Sequence, residues 1–306
     1  MNKIFGLLGD EYKSAVSTFA LQGAAASEAL SEDEVVKEIR EIRYIKTDGS
    51  IDTRTIQICW PAKREGEIPL VYIPHYSVEE NTQDYVFYIK HGWAVASPYP
   101  FNNEYNMTLC TDDLVFNNAA LYELRHSEGI DKQRIATVGG SAGGYMTLML
   151  NELQMGTAAA IATAPIANVY FNAYQYFPEC DEVNRSSGLL DLRMPIQCIV
   201  SESFQANNKL IGDDIRRWEA VSPISMASAI SNPLVMVHNT SDILVPVDQI
   251  THRYTYPEND GTLPKGFDCH LGTDYPGILS KTFEEMANPE ELTINCTKFD
   301  DWVVKG

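Results

Sequence analysis

Basic residues are scarce: 23 Lys and Arg stand against 42 Asp and Glu in 306 residues, a formal net charge of −19. So acidic a chain repels phosphate backbones and anionic lipid, so neither nucleic acid nor a membrane surface is expected as a partner. Long apolar runs are missing too. The N-terminal MNKIFGLLGDEYK has its apolar stretch cut off by Asp10 and Glu11, short of the about 7–15 uninterrupted residues of a secretory signal. No segment approaches the roughly 20 residues of a membrane span. A cytoplasmic location is the expectation. Cysteines number six, and none forms a C-x-x-C pair; scattered thiols in a chain this long suit a reduced state better than a disulfide framework or zinc site. H-E-x-x-H, an EF-hand loop, a P-loop and G-x-G-x-x-G are all absent, so no metal and no cofactor is expected.

What is present is a globular composition, 44% hydrophobic and 21% charged, at a length that buries a substantial core. Residues 1–40, including the acidic SEDEVVKEIREI, read as an N-terminal helical segment. REIRYIKT, TRTIQICWPA and IPLVYIPHY then read as strands separated by DGS and KREGE turns. From there helix and strand alternate. NTQDYVFYIKHG, LVFNNAALYELRHSEG and GGYMTLMLNEL read as helices, and WAVASPYP, RIATVGG, AAAIATAP and PLVMVHNT as strands. Short apolar strands without polar alternation predict a mainly parallel sheet covered by helices on both faces. Residues 169–220 break the rhythm with aromatics, a further strand-like MPIQCIVSE and charged helical pieces. They read as a cap inserted into an α/β core of 41–168 and 221–306, over the strand ends where ligands sit in such folds. The aromatics Tyr170, Phe171, Tyr174, Tyr176 and Phe177 suit either an apolar pocket wall or the cap's own core.

Gly139-Gly140-Ser141-Ala142-Gly143 matches G-x-S-x-G in the strand-then-helix setting which that pattern requires. The turn forces Ser141 into a sparsely populated backbone conformation, so its neighbours must be tiny for strand and helix to approach. The helix start directs free N–H groups at a developing oxyanion, Ala142 being the natural donor. The same glycines suit an anion-binding loop, but the Lys of a P-loop and the dinucleotide spacing are missing.

Here the sequence resembles the α/β-hydrolase superfamily, especially prolyl-oligopeptidase-like and carboxylesterase-type serine hydrolases. The resemblance runs from about residue 40 to about 250 and rests on GIDKQRIATVGGSAGGYMTL, WEAVSPISMASAISNPLVMVHNTSDILVPVDQ and PLVYIPHYS. It implies a three-layer α/β-hydrolase fold, mostly parallel, with a cap insertion. In the second phrase, Ser222-Pro223, an apolar strand and His238-Asn239-Thr240-Ser241-Asp242 before Val245-Pro246 stand where relatives carry SP, a strand and HG-x-x-D-x-x-V-P. Asp242 is thereby implied as the triad acid; a helix N-cap is its plainer reading. Asn239 replaces the usual glycine and tolerates a left-handed turn.

The base follows by elimination among six histidines. His91 and His126 sit at helix ends, where C-cap roles explain them. His238 lies in the strand of the acid loop, and His252 in a helix-like run leading away. His75 belongs to the candidate oxyanion loop. His270, in KGFDCHLGTDYPG, has the Ser…Asp…His order and a loop setting. The strand-like ELTINCTKF, however, follows His270, where the family has a strand before its histidine; the alternative is that the base belongs to a segment this chain lacks. The second oxyanion donor falls in Ile73-Pro74-His75-Tyr76-Ser77. Pro74 has no N–H, which leaves the His75 or Tyr76 amide, or the Tyr76 hydroxyl. The expected function is cleavage of a small carboxylic ester through an acyl-enzyme on Ser141. Its alternatives are a small prolyl-oligopeptidase-like peptidase or amidase acting on short peptides, and a non-catalytic α/β-hydrolase-fold protein with an incomplete triad.

Overall fold

The computed structural model describes residues 29–80, 82–153, 156–172, 206–212, 214–230, 232–239, 245, 248–251 and 291–296. Among the described residues, eight strands form one sheet: β1 (Val35–Ile45), β2 (Ile51–Pro61), β3 (Ile68–Tyr72), β4 (Ala94–Pro98), β5 (Ile130–Gly140), β6 (Ala159–Thr163), β7 (Leu234–Asn239) and β8 (Glu291–Cys296). Their order across the sheet is β1-β2-β4-β3-β5-β6-β7-β8. The four ladders from β4 through β3, β5 and β6 to β7 are parallel. β1 with β2, β2 with β4 and β7 with β8 pair antiparallel.

Every residue of β3 and β4 is buried, as continuous apolar strands covered on both faces require. Helix α1 (Gln83–Lys90) buries Tyr85, Val86 and Ile89 against Cys59 and Val95 on one face. It stops where the sequence places Gly92, at φ 78°. On the other face, α2 (Asp112–Arg125) and α3 (Ala142–Glu152) pack over Ile58, Leu70, Tyr72, Ala96 and Ile135. All eleven residues of α3 are buried, which is why AGGYMTLMLNE lacks the polar stripe of a surface helix. Tyr145, Met146, Leu148, Met149 and Leu150 are nearly or wholly inaccessible, worth about 1.5–3 kcal/mol each in transfer energy. Among the described residues no helix is long and apolar enough to cross a membrane.

One reading is corrected. Residues 35–40, expected in the N-terminal helix, are the first half of β1, and residues 1–28 lie outside the described set. From Glu38 on, the even residues of β1 face inward, Ile42 and Tyr44 fully so, but the first two, Glu38 and Arg40, are charged. Arg40 bonds Glu38 at 2.8 and 2.6 Å, and the Trp60 indole N–H donates to Glu38 at 2.9 Å. Meanwhile Val36 and Ile39 point outward. With polar residues inside and apolar ones outside, the period-2 signal is masked, and an eleven-residue ladder with β2 decides the outcome.

Of the expected cap, the described parts are a turn of helix at Val169–Phe171, a helix at 206–211 and Ile215–Ala220. Phe171 and Trp218 are fully buried and belong to the main core, with Tyr170 packed edge-on to Trp218. For Phe171, then, core packing is the role found. Tyr174, Tyr176, Phe177 and the strand-like MPIQCIVSE lie outside the described residues. The late strand-like run ELTINC is β8, antiparallel on the sheet edge.

Candidate active site

Parallel strands bring their carboxyl ends to one edge. Tyr72 of β3 pairs with Thr137 of β5, Gly140 with Thr163 of β6, and Thr163 with Val237 of β7. The loops leaving β3 and β5 therefore meet there, and ligands bind in this position in open α/β sheets.

Ser141 stands between β5 and α3 at φ 52°, ψ −121°, a region costing a non-glycine residue of order 1–3 kcal/mol. Surrounding bonds hold it. Its N–H donates to the Thr163 carbonyl at 2.9 Å, and its carbonyl accepts from the Tyr145 N–H at 2.9 Å. The two pattern glycines are sterically required. A Cβ on Gly139 would lie 2.4 Å from the Gly143 carbonyl oxygen, and one on Gly143 3.1 Å from the Pro74 oxygen and 3.3 Å from the Tyr76 ring. Gly144 likewise lies against Thr163 and Pro165. Ala142 opens α3, where an amide has no intrahelical partner, and its side chain is buried.

The loop after β3 reaches the same point by a tight turn. The Tyr76 N–H donates to the Pro74 carbonyl at 2.9 Å, with His75 between them at φ 71°; this is a γ-turn of the rare positive-φ kind. The turn delivers the Tyr76 side chain to the Ser141 elbow, where a Cβ on Gly143 would lie 3.3 Å from its ring. Burial pushes the Tyr76 phenol up to about 12, against a smaller opposing effect of the Ser141 side chain, so the group is a neutral O–H across the ordinary pH range. Phe101 packs on both His75 and Tyr76, with ring centroids at 5.3 and 5.0 Å.

His75 is wholly buried, and each of its polar groups but its carbonyl is engaged. Its N–H donates to Asn117 Oδ1 at 3.0 Å, Nδ1 lies 2.6 Å from Asp113 Oδ2, and Nε2 lies 2.9 Å from Asn106 Oδ1. Asn117 Oδ1 also accepts from the Tyr72 hydroxyl at 2.8 Å, and its amide donates to the Asp113 carbonyl at 2.8 Å. The other Asp113 oxygen accepts from Arg54 Nη1 at 2.8 Å. The Arg54 guanidinium is sandwiched by the Tyr105 and Phe116 rings at 3.4 and 3.8 Å.

The structure thus brings Ser141, Ala142, His75 and Tyr76 together. In the β3 loop both candidate backbone donors are taken, the His75 amide by Asn117 and the Tyr76 amide by Pro74. The Tyr76 hydroxyl is the candidate that neither of these bonds occupies. Asp242 and His270 lie outside the described residues. Past Asp242 in the chain, Val245 and the helical turn Asp248–Thr251 are described. The turn is tied to the loop after β6 by Gln249, whose Oε1 accepts from the Ala167 and Asn168 amides at 2.9 and 2.7 Å. His91 and His126 are helix C-caps, each with Nδ1 2.7 Å from the carbonyl four residues back. Arg54, Asn106, Asp113 and Asn117 escaped sequence reasoning. The available signal was Asp113 and Asn117 four residues apart on the stripe of α2 that also carries Phe116, Ala120 and Leu124, since neighbours on a helix face point the same way.

The BD-FAE family model, an α/β-hydrolase-type esterase domain, matches residues 57–255. The chain belongs to that family. No curated protein matches the sequence. Among solved structures, a puromycin hydrolase is 16% identical over 73% of this chain and 33% of its own, with a TM-score of 0.50. A puromycin-hydrolyzing peptidase of Mycobacterium tuberculosis is 21% identical over 73% of this chain and 34% of its own, also at 0.50. An acylaminoacyl peptidase in complex with Z-Gly-Gly-Phe-chloromethyl ketone is 18% identical over 70% and 33%, again at 0.50. The chain spans about a third of the length of these structures. They share its α/β-hydrolase fold.

Proposed function

We propose that this member of the BD-FAE family is a serine hydrolase that cleaves small carboxylic esters in the cytoplasm through an acyl-enzyme on Ser141. The observation that carries the reading is Ser141 at φ 52°, ψ −121° between β5 and α3, with the Tyr76 ring against Gly143 of the same elbow. A backbone conformation this costly persists only where the surroundings enforce it, and such positions cluster at reactive sites.

In the reaction, Ser141 Oγ attacks the carbonyl carbon while His270 takes its proton and Asp242 orients the imidazole and stabilises its charged form. The tetrahedral oxyanion is held by the Ala142 N–H at the start of α3 and by the Tyr76 O–H. The oxyanion collapses with loss of the alcohol, which receives the proton from His270. Water, deprotonated by the same histidine, then releases the acid. Each oxyanion donor is worth on the order of 10²–10³ in rate. The esterase character of the matched family supports ester over amide cleavage.

The test is a fluorophosphonate label and a p-nitrophenyl acetate assay run beside Ser141→Ala. Labelling and turnover that vanish with Ser141 are expected, and labelling that survives the substitution would refute the reading. His270→Ala is expected to abolish both; undiminished activity removes His270 from the triad. A p-nitroanilide cleaved faster than the matching ester makes the protein an amidase instead.

A further inference from the structure

We infer that Arg54, Asp113 and Asn117 are positioning residues that hold the His75 γ-turn and thereby place Tyr76 at the Ser141 elbow, with its ring against Gly143. The inference rests on the serine-hydrolase reading above and extends it to three residues that touch neither the serine nor its oxyanion. Their bonds converge on one residue. Asn117 takes the His75 backbone N–H, Asp113 takes its Nδ1, and both lie one turn apart on α2. Asn106 takes the remaining ring nitrogen. Arg54 in turn fixes the second Asp113 oxygen from β2, with side-chain exposure of only 9% for Arg54 and none for Asp113.

Two features argue against mere structural glue. A buried ion pair contributes little net stability compared with apolar packing of equal volume. Here the ion pair is embedded in a large apolar core that could have closed over it. Moreover, the bonds fall on the residue whose backbone is in the left-handed region, directly before the tyrosine. A γ-turn relaxing to negative φ would swing the following side chain away, and the phenol would leave the elbow. Misplacement by about 1 Å costs on the order of 10²-fold in rate.

The experiment is a double-mutant cycle on the whole protein, joining Asp113→Asn to Tyr76→Phe. Activity is expressed as kcat per active site titrated with the fluorophosphonate, and KM and Tm are measured alongside. Asp113→Asn is expected to lower kcat per titrated site about 10–100-fold with KM within about twofold. In the Tyr76→Phe background the further loss is expected to be under about threefold, because the hydroxyl being positioned is already gone. Equal losses in both backgrounds overturn the inference. A lower Tm with fewer titratable sites but unchanged kcat per site also overturns it. If Asp113→Asn does not fold, Arg54→Met in the same cycle gives the same two outcomes. Titration of Ser141 keeps the two readings apart: labelled, active protein with additive losses overturns the positioning role alone, whereas an unsubstituted protein that does not label at Ser141 overturns both.

Discussion

Replacing Gly139 with alanine tests whether the elbow is held open by the absence of side chains. A Cβ at this position would stand 2.4 Å from the Gly143 oxygen, 2.6 Å from its carbonyl carbon and 2.9 Å from Thr147 Oγ1, where ordinary contact begins at 3.4 Å. Strand β5 and helix α3 must therefore separate by about 1 Å. The nearest atoms are backbone of a helix buried along its whole length, so no flexible side chain absorbs the change. Overpacking of this kind costs typically 1–3 kcal/mol, and the rigid partner places Gly139→Ala toward the upper end. At a few degrees per kcal/mol for a domain of this size, Tm should fall by roughly 4–10 °C. The same displacement moves Ser141, so fluorophosphonate labelling per folded molecule should slow on the order of 10²-fold. Thermal denaturation and labelling kinetics read the two effects. A Gly139→Ala protein with unchanged Tm and labelling rate refutes the steric account of the G-x-S-x-G pattern.

Gly143→Ala should separate the two effects: its Cβ meets Pro74 and the Tyr76 ring at 3.1 and 3.3 Å, so Tm should stay within a few degrees while kcat falls, and a lost Tm with normal kcat contradicts this. Tyr76→Phe should cost about 10²–10³ in kcat. Because the phenol is pushed up to about 12 by burial, the pH profile of the unsubstituted enzyme should show no inflection from Tyr76 between pH 6 and 9; a profile limb that disappears in Tyr76→Phe would contradict the assignment. Glu152, 4% exposed with neither carboxylate oxygen bonded, is pushed well above its ordinary 4.5 by burial. The folded state then keeps a proton that the unfolded chain has released, so stability falls as pH rises above about 4.5. Glu152→Gln removes that slope, and its Tm advantage should grow with pH; a constant advantage at all pH values contradicts the reasoning.

The elbow was legible because its cause is local. Glycines at 139 and 143 flank Ser141 by two residues on either side, and the severe clash, at Gly139, is with the Gly143 backbone and Thr147 in the next turn. The parallel core was legible for a related reason: strands buried on both faces are almost wholly apolar, as β3 and β4 show with Ser97 the exception. β1 was not, since its inward Glu38 and Arg40 are satisfied by each other and by Trp60, 22 residues away. The support under Tyr76 was equally hidden. Arg54 and Asp113 are 59 residues apart, and His75 and Asp113 38, and no periodicity links a strand, a loop and a helix across such distances.

Sequence alone dictates the turn at Ser141, the alternation of strand and helix and the stopping points of the helices, because steric exclusion and hydrophobic periodicity act within a few residues. Which donors at the β3 loop stay unspent emerges only on folding. Two amides and a hydroxyl were equivalent on paper. Folding spends one amide on Asn117 and the other on Pro74, and neither bond occupies the hydroxyl. A donor already bonded inside the protein cannot serve an oxyanion, and that allocation exists only once distant residues have met.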